Sequence, residues 1–376
     1  MRRKLCFLIR QLNQGGAQRQ LLELVKNLDQ SRFDISVVTF YEGGDFAAEI
    51  DYLPGISFYC LNKRGRWDLL PFLFRLGKLL HRLKPHIVHG YLSTANLLAV
   101  LMRPIVPEIK VVWGVRSSNM DASHYDWLTK TQYFLERFLT RFAHLVILNS
   151  ESALEYHVAR GLPRQKCVVV HNGIDVAHFR RSADEGAAFR SEHRIAESAP
   201  VVLMAARLDP MKDHPTFLKA AALLRRDHPA VRFVLVGSGP SGYAAQLRSL
   251  ITSLDLDSNV VCAGTRKDMV AVYSAADILT LPSRFGEGFP NVVAEAMACG
   301  VPCVVTDVGD ARAVVGGIGA VVQPGESEGL AACWRSLLAL TASEIEILRH
   351  SARSRIETSF DTVTMARKTS ARLEAL

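Results

Sequence analysis

The chain lacks any Cys-x-x-Cys pair, and its seven cysteines (Cys6, Cys60, Cys167, Cys262, Cys299, Cys303 and Cys333) are scattered without histidines at zinc spacing. This excludes a zinc module and a disulfide scaffold and leaves the reduced thiols of a cytosolic protein. No run approaches the ~18 apolar residues that span a bilayer. Met1-Arg2-Arg3-Lys4 is followed by only five apolar residues before Arg10, too few for the apolar region of a secretory leader. A chain made and kept in the cytoplasm is therefore expected. Solenoid repeats and low-complexity tracts are also missing. With 49% hydrophobic and 22% charged residues, the composition is that of a folded protein and not of a disordered one.

What is present is length and apolar material for more than one core. At 376 residues, a division into two domains with a cleft between them is expected. Short runs rich in Val, Ile and Leu alternate with segments of helical period, the pattern of parallel sheets with crossover helices. Seven such runs begin at Lys4, Ile35, Ile56, Ile87, Val111, Leu145 and Val168. Six more begin at Val201, Arg232, Val260, Ile278, Val304 and Ala320. Helical segments separate them, including one near 126–142, and the charged, non-periodic stretch at about 175–198 reads as a linker. The expected fold class is α/β, with two Rossmann-like doubly wound domains at 1–180 and 181–355 and a C-terminal helix, 356–376, returning to the first domain. Ligands in such folds sit beyond the carboxyl ends of the strands.

Charge is unevenly shared. Residues 1–180 carry 24 Lys and Arg against 15 Asp and Glu, a balance of +9, which leaves −1 for the remainder of a chain whose total is +8. The first half is thus suited to an anionic partner, such as a phosphorylated lipid or acidic headgroups.

The densest motif is Pro282-Ser283-Arg284-Phe285-Gly286-Glu287-Gly288-Phe289-Pro290-Asn291, running into Val292-Val293-Ala294-Glu295-Ala296-Met297-Ala298-Cys299-Gly300. It follows a strand, holds a glycine-rich turn and sets Pro290 as first helical residue. Free N–H groups and the positive dipole end at such a helix start hold phosphate. Glu295, a turn further in, can accept both hydroxyls of a ribose, while Glu287 stays in the loop. Arg207 and Lys212 follow the first strand of the second half, where two cations can neutralise a diphosphate without a metal.

The Glu-x7-Glu spacing of Glu287 and Glu295 in this setting resembles the retaining GT-B glycosyltransferases of family 4 (group 1 glycosyl transferases). Further segments carry the resemblance along nearly the whole chain: Gly15-Gly16-Ala17, Pro85-His86-Ile87-Val88-His89, His171-Asn172-Gly173-Ile174-Asp175 and Ala206-Arg207-Leu208-Asp209-Pro210-Met211-Lys212-Asp213. It implies a GT-B architecture, a nucleotide-diphosphate sugar donor held by the second domain, a glycan or lipid-linked acceptor on the first, and neither metal nor other cofactor. It implies catalytic roles for Glu287, Arg207 and Lys212. Substrate binding would fall to Gly15, Gly16, Arg116, Gly288, Phe289, Pro290 and Glu295, and to backbone around Arg266 beside the base. Where many members have a histidine at the end of a first-domain strand, Val112-Trp113-Gly114-Val115 leads into Arg116. An arginine there can bind charge but cannot serve as a base.

Other signals point elsewhere. Gly237-Ser238-Gly239-Pro240-Ser241-Gly242 after Val231–Val236 is a literal G-x-G-x-x-G, the fingerprint of an NAD(P)-dependent oxidoreductase, although it follows the second strand of its domain. A binding protein without catalysis on the same fold is a further alternative. Asp255-Leu256-Asp257 spells a metal motif but falls between a helix end and a strand start, where aspartates form turns. His89 and His171 fall at strand ends on the cleft side without being assigned to catalysis. The stretch 63–84 sets Lys63, Arg64, Arg66, Arg75, Lys78, Arg82 and Lys84 beside Trp67, Phe72 and Phe74, which suits either a packed crossover helix or attachment to an anionic membrane surface. Without a recognisable reading module, nucleic acid is not expected as a partner.

Overall fold

The computed structural model describes residues 2–13, 15–65, 67–116, 135, 136 and 138–376. The helix expected near 126–142 falls mostly outside these residues. The chain forms two units, Met1–Gly173 with Thr362–Leu376, and Ile174–Asp361.

In the first unit the strands are β1 (Arg3–Ile9), β2 (Phe33–Thr39), β3 (Ile56–Cys60), β4 (Ile87–Tyr91), β5 (Lys110–Val115), β6 (Leu145–Leu148) and β7 (Cys167–Val169). They form one parallel sheet in the order β3-β2-β1-β4-β5-β6-β7. Strand order reverses between β1 and β4, where Leu5 lies opposite Ile87. Both faces are covered, which is why the strands read as continuous apolar runs. On one face, Leu21, Leu24 and Val25 of helix Gly16–Asn27 pack with Met365, Ala366 and Leu373 of helix Thr362–Glu374. On the other, helices Leu69–Leu83 and Ser93–Leu101 bury Phe72, Leu76, Leu80, Leu98 and Ala99.

The second unit holds β8 (Val201–Ala205), β9 (Arg232–Val236), β10 (Val260–Gly264), β11 (Ile278–Leu281), β12 (Cys303–Thr306) and β13 (Ala320–Val322), parallel in the order β10-β9-β8-β11-β12-β13. Its reversal falls between β8 and β11, where Val202 lies opposite Ile278.

Two expectations change. The first exchange between units falls earlier, at Gly173, because Ile174 is buried in the second core and donates its N–H to Phe360 O at 2.8 Å. The second falls later, at Asp361, which is bridged to Ile174. The stretch read as a linker also carries a helix, Ala183–Glu192, capped by Ser182 accepting from Glu185 N at 3.4 Å. It buries Phe189, followed by Ile195 and Ala199, in the second core. Arg190 ties it to that core through Asp277 at 3.0 Å and the Ala275 carbonyl at 3.0 Å.

Candidate active site

In the second unit, three loops meet beyond the carboxyl ends of β8, β11 and β12, beside the point where strand order reverses. Loop 206–213 after β8 ends in the short helical turn Pro210–Lys212, which Asp209 starts by accepting from Met211 N at 2.9 Å. Asp213 then adopts φ 52° and caps helix His214–Arg225 by accepting from Thr216 N–H at 3.3 Å, while its other oxygen accepts from the Thr216 hydroxyl at 2.7 Å. This turn aims the Lys212 ammonium at Glu287, in the loop after β11, and the two form an ion pair. Ser283 donates from its hydroxyl to the same Glu287 oxygen. A second bridge crosses the two loops, since Arg284 donates to Asp213 Oδ2 at 2.7 Å.

Loop 307–310 after β12 closes over Glu287. A Cβ on Gly309, whose φ is 62°, would stand 2.4 Å from the Glu287 carbonyl oxygen, so the approach demands glycine. Asp310 N–H donates to Gly288 O at 3.1 Å. Within helix Asn291–Ala298, Glu295 is buried and accepts from the Tyr273 hydroxyl at 2.7 Å. Lys212, Glu287 and Ser283 thus form one cluster, with Glu295 held separately by Tyr273.

The other proposed residues fall variously. Arg207 is exposed, its side chain 74% accessible, with Asp209 at 3.5 Å. Phe289 is buried with its ring 5.3 Å from Phe360, so its side chain serves the core and only its backbone can face a ligand. Pro290 is the cap residue preceding the helix and not its first residue. The Arg266 guanidinium is taken up by Glu192 (2.6 and 2.9 Å) and Asp268 (2.9 and 2.6 Å), which hold it firmly protonated. Sequence reasoning missed Ser283, Asp213 and Tyr273. Ser283 lies within the quoted motif, but its partner is set by the turn and not by spacing.

In the first unit the corresponding reversal lies between β1 and β4. Gly15 caps and Gly16 opens helix Gly16–Asn27 after β1. After β4, Leu92 holds φ 70° and ψ 164°, a region nearly restricted to glycine, which marks a backbone over-determined by its surroundings. Arg116, after β5, donates to the Tyr91 hydroxyl at 2.6 Å and to Asn172 Oδ1 at 2.9 Å. Its neighbours Ser117–Asn119 lie outside the described residues. His89 is fully buried between Phe7 and Tyr91, with ring centroids 5.2 and 5.1 Å away, and so does not face a cleft. Burial first, and Arg116 second, lower its pKa to about 3.

The competing motifs have structural explanations. A Cβ on Gly237 would lie 2.0 Å from Ala206 O, and one on Gly239 would lie 2.2 Å from Leu208 O. Those two glycines therefore admit the neighbouring loop after β8. Asp255 pairs with Arg225 at 2.9 Å and Asp257 accepts from Thr252 at 2.9 Å. Among the described residues, no group of three or more His, Cys, Asp or Glu is arranged to hold a metal ion. In helix Leu69–Leu83, Phe72 is buried and so does not face outward as expected, and the Arg75 guanidinium is engaged by Asp68 and by the Leu61 carbonyl at 3.0 Å; Arg66 lies outside the described residues.

Solved structures share this architecture over the full length. The crystal structure of Anabaena HepE in complex with UDP is 25% identical, covers 99% of this chain and 100% of its own, and gives a TM-score of 0.86. The fold and the loops at its reversal points define a glycosyltransferase of the GT-B class. Residues 14–178 match the family model for Glycosyltransferase Family 4, and residues 199–339 match the model for Glycosyl transferases group 1. The chain belongs to this family, the group 1 or family 4 glycosyltransferases. Relatives include EpsF of Bacillus subtilis, 25% identical over 340 residues (88% of this chain, 86% of that protein). Another is the Escherichia coli UDP-Gal:alpha-D-GlcNAc-diphosphoundecaprenol alpha-1,3-galactosyltransferase, 26% identical over 309 residues (78% and 76%).

Proposed function

We propose that this glycosyltransferase is retaining and metal-independent, and moves a sugar from a UDP- or GDP-sugar on the second unit to a hydroxyl of a glycan or lipid-linked acceptor on the first. Cell-surface polysaccharide or glycolipid assembly is its setting. The observation that carries this reading is the Lys212–Glu287 pair at the reversal between β8 and β11. It puts a cation and a carboxylate where α/β sheets bind ligands. HepE with UDP and the E. coli enzyme, named for a UDP-galactose donor and a diphosphoundecaprenol acceptor, support the donor and acceptor classes.

In this reading, Lys212 and Arg207 bind the diphosphate oxygens and Glu287 contacts the sugar. Glu295 accepts from the ribose hydroxyls, backbone at Arg266 borders the base, and the backbones of Gly288, Phe289 and Pro290 meet the donor. Gly15 and Gly16 offer main-chain N–H groups to phosphate. As the bond from the anomeric carbon to phosphate breaks, its electron pair stays on the diphosphate, and the two cations stabilise that charge. The acceptor oxygen bonds to the same face of the carbon, and its proton passes to a phosphate oxygen of the departing diphosphate.

Work at the cytoplasmic face of the membrane is part of the proposal. Trp67 (90% accessible), Leu70 (78%) and Phe74 (72%) are exposed near Lys78 and Arg82, an apolar and basic edge suited to anionic headgroups. No helix among the described residues is long and apolar enough to cross a membrane.

The test is calorimetric titration with UDP, GDP and NAD(H), followed by NMR of the anomeric proton in the product and assay in EDTA. The expectation is nucleotide binding by UDP or GDP, a retained anomer and full activity in chelator. Binding of NAD(H) alone would overturn the transferase reading.

A further inference from the structure

A guanidinium that is half-buried is normally met by a carboxylate or by several carbonyls, because an unmatched cation loses hydration without compensation. Two arginines of the second unit illustrate this rule. Arg190 has Asp277 and three carbonyls from 196–199, and Arg353 has Glu357 and the carbonyls of Val176, Phe179 and Ala298.

Arg116 does not. Its described partners are a phenol and a side-chain amide, Tyr91 and Asn172, and its guanidinium carbon stands 4.6 Å from the centre of the Tyr91 ring. Neither group supplies negative charge. Burial raises the Tyr91 pKa despite the opposing pull of Arg116, so the phenol keeps its proton. His89 beside it stays neutral. The Arg116 Nε is buried and donates to no atom among the described residues. Two of its five N–H donors are therefore used to hold the plane in place, and three remain. The cluster stands at the carboxyl ends of β4 and β5, next to the reversal of strand order and to the strained Leu92. Among the described residues it is a fixed, uncompensated cation in a forked geometry that matches two oxygens of one anion.

We infer that Arg116 is the residue by which the first unit recognises an oxyanion, phosphate or carboxylate, on the molecule that receives the sugar. This rests on the first unit being the acceptor unit. Tyr91 and Asn172 are positioning residues that orient the fork. The acceptor class is thereby narrowed to one that carries such an anion close to the receiving hydroxyl.

The experiment uses the full chain saturated with UDP, so that the donor site is filled, and titrates inorganic phosphate and acetate by calorimetry. Wild type, Arg116→Gln and Arg116→Lys are compared. Arg116→Gln keeps hydrogen-bonding capacity and removes charge, and is expected to weaken binding of the preferred anion at least tenfold. Preference for phosphate or for acetate identifies the anion. Equal binding by Arg116→Gln and wild type, or binding of neither anion by wild type, overturns the inference. If Arg116→Gln does not fold, Arg116→Lys decides. Lys keeps the charge but loses the fork, so folded protein with weakened anion binding supports the inference, and unchanged binding overturns it. UDP binding is measured first in each sample. Its failure would count against the transferase reading and not against Arg116, since the anion titration can still be read.

Discussion

The two units treat positive charge in opposite ways. In the second, the loops around the reversal of strand order are knitted by matched pairs, Lys212 with Glu287 and Arg284 with Asp213, and beyond the edge strand β10 Arg266 is matched by Glu192 and Asp268. In the first, the cation at the corresponding place, Arg116, has only neutral partners among the described residues, and residues 1–180 carry a balance of +9. A matched site is rigid before its ligand arrives, and its carboxylates compete with incoming phosphate. An unmatched site depends on its ligand for compensation. The difference is the one expected if, as proposed, the second unit holds the donor on a preset framework and the first selects the acceptor by charge.

The strongest way to break the contrast is to unmatch the second unit. Lys212→Ala removes the counter-charge of the largely buried Glu287 carboxylate, and is expected to cost ~3 kcal/mol in urea unfolding. Turnover should also fall about 100-fold or more. Adding Glu287→Gln should recover most of the stability and none of the activity. If the single variant unfolds like wild type, the pair is not a structural contact. Next in size is Arg207→Ala, which removes an exposed side chain. Stability should stay within about 0.5 kcal/mol while turnover falls about 100-fold, a separation that Lys212 does not allow.

Acid sharpens the comparison from both sides. Burial holds His89 at about 3 in the first unit and His214 at about 4 in the second. Both lie below the ordinary imidazole value of about 6.5. Above that value folded and unfolded chains are equally unprotonated at these sites. As pH falls below it, only the unfolded chain takes up protons, and stability drops by up to about 1.4 kcal/mol per pH unit for each histidine until the folded pKa is reached. His89→Asn should flatten the slope between pH 6.5 and 4 in thermal melts, and an unchanged slope would count against burial of a neutral ring. The smallest effect is at the membrane edge. Lys78→Glu with Arg82→Glu should lower flotation with anionic vesicles at low salt, by roughly 1 kcal/mol for each cation lost. Flotation insensitive to salt and to these changes would remove the electrostatic part of that proposal.

The fold was readable because buried parallel strands leave unbroken apolar runs, and each of the thirteen runs read from the sequence overlaps a strand. Helix Ala183–Glu192 was not readable, since its ten residues bury only Gly186 and Phe189 and its charges mask any period. The loop residues Glu287 and Lys212 were named from motifs, but their pairing across 75 positions is created by the turn at Asp209–Asp213 and cannot be read from spacing. Phe289 shows the reverse: a motif position whose side chain belongs to the core.

The chain leaves the first unit at Gly173 and re-enters it at Thr362. On a ribosome, which delivers the chain from its N-terminus, residues 174–361 are therefore complete and able to fold while the first unit still lacks its last helix. Leu373, Met365 and Ala366 fill that unit's core, and Arg3 donates to the Leu373 carbonyl at 2.9 Å, so β1 waits for a helix made only after the whole second unit. Birth order and assembly order are thus inverted. A ribosome stalled just before Thr362 should release a protein with a sound second unit and an open seam on the first, exposing the apolar face of helix Gly16–Asn27 to chaperones.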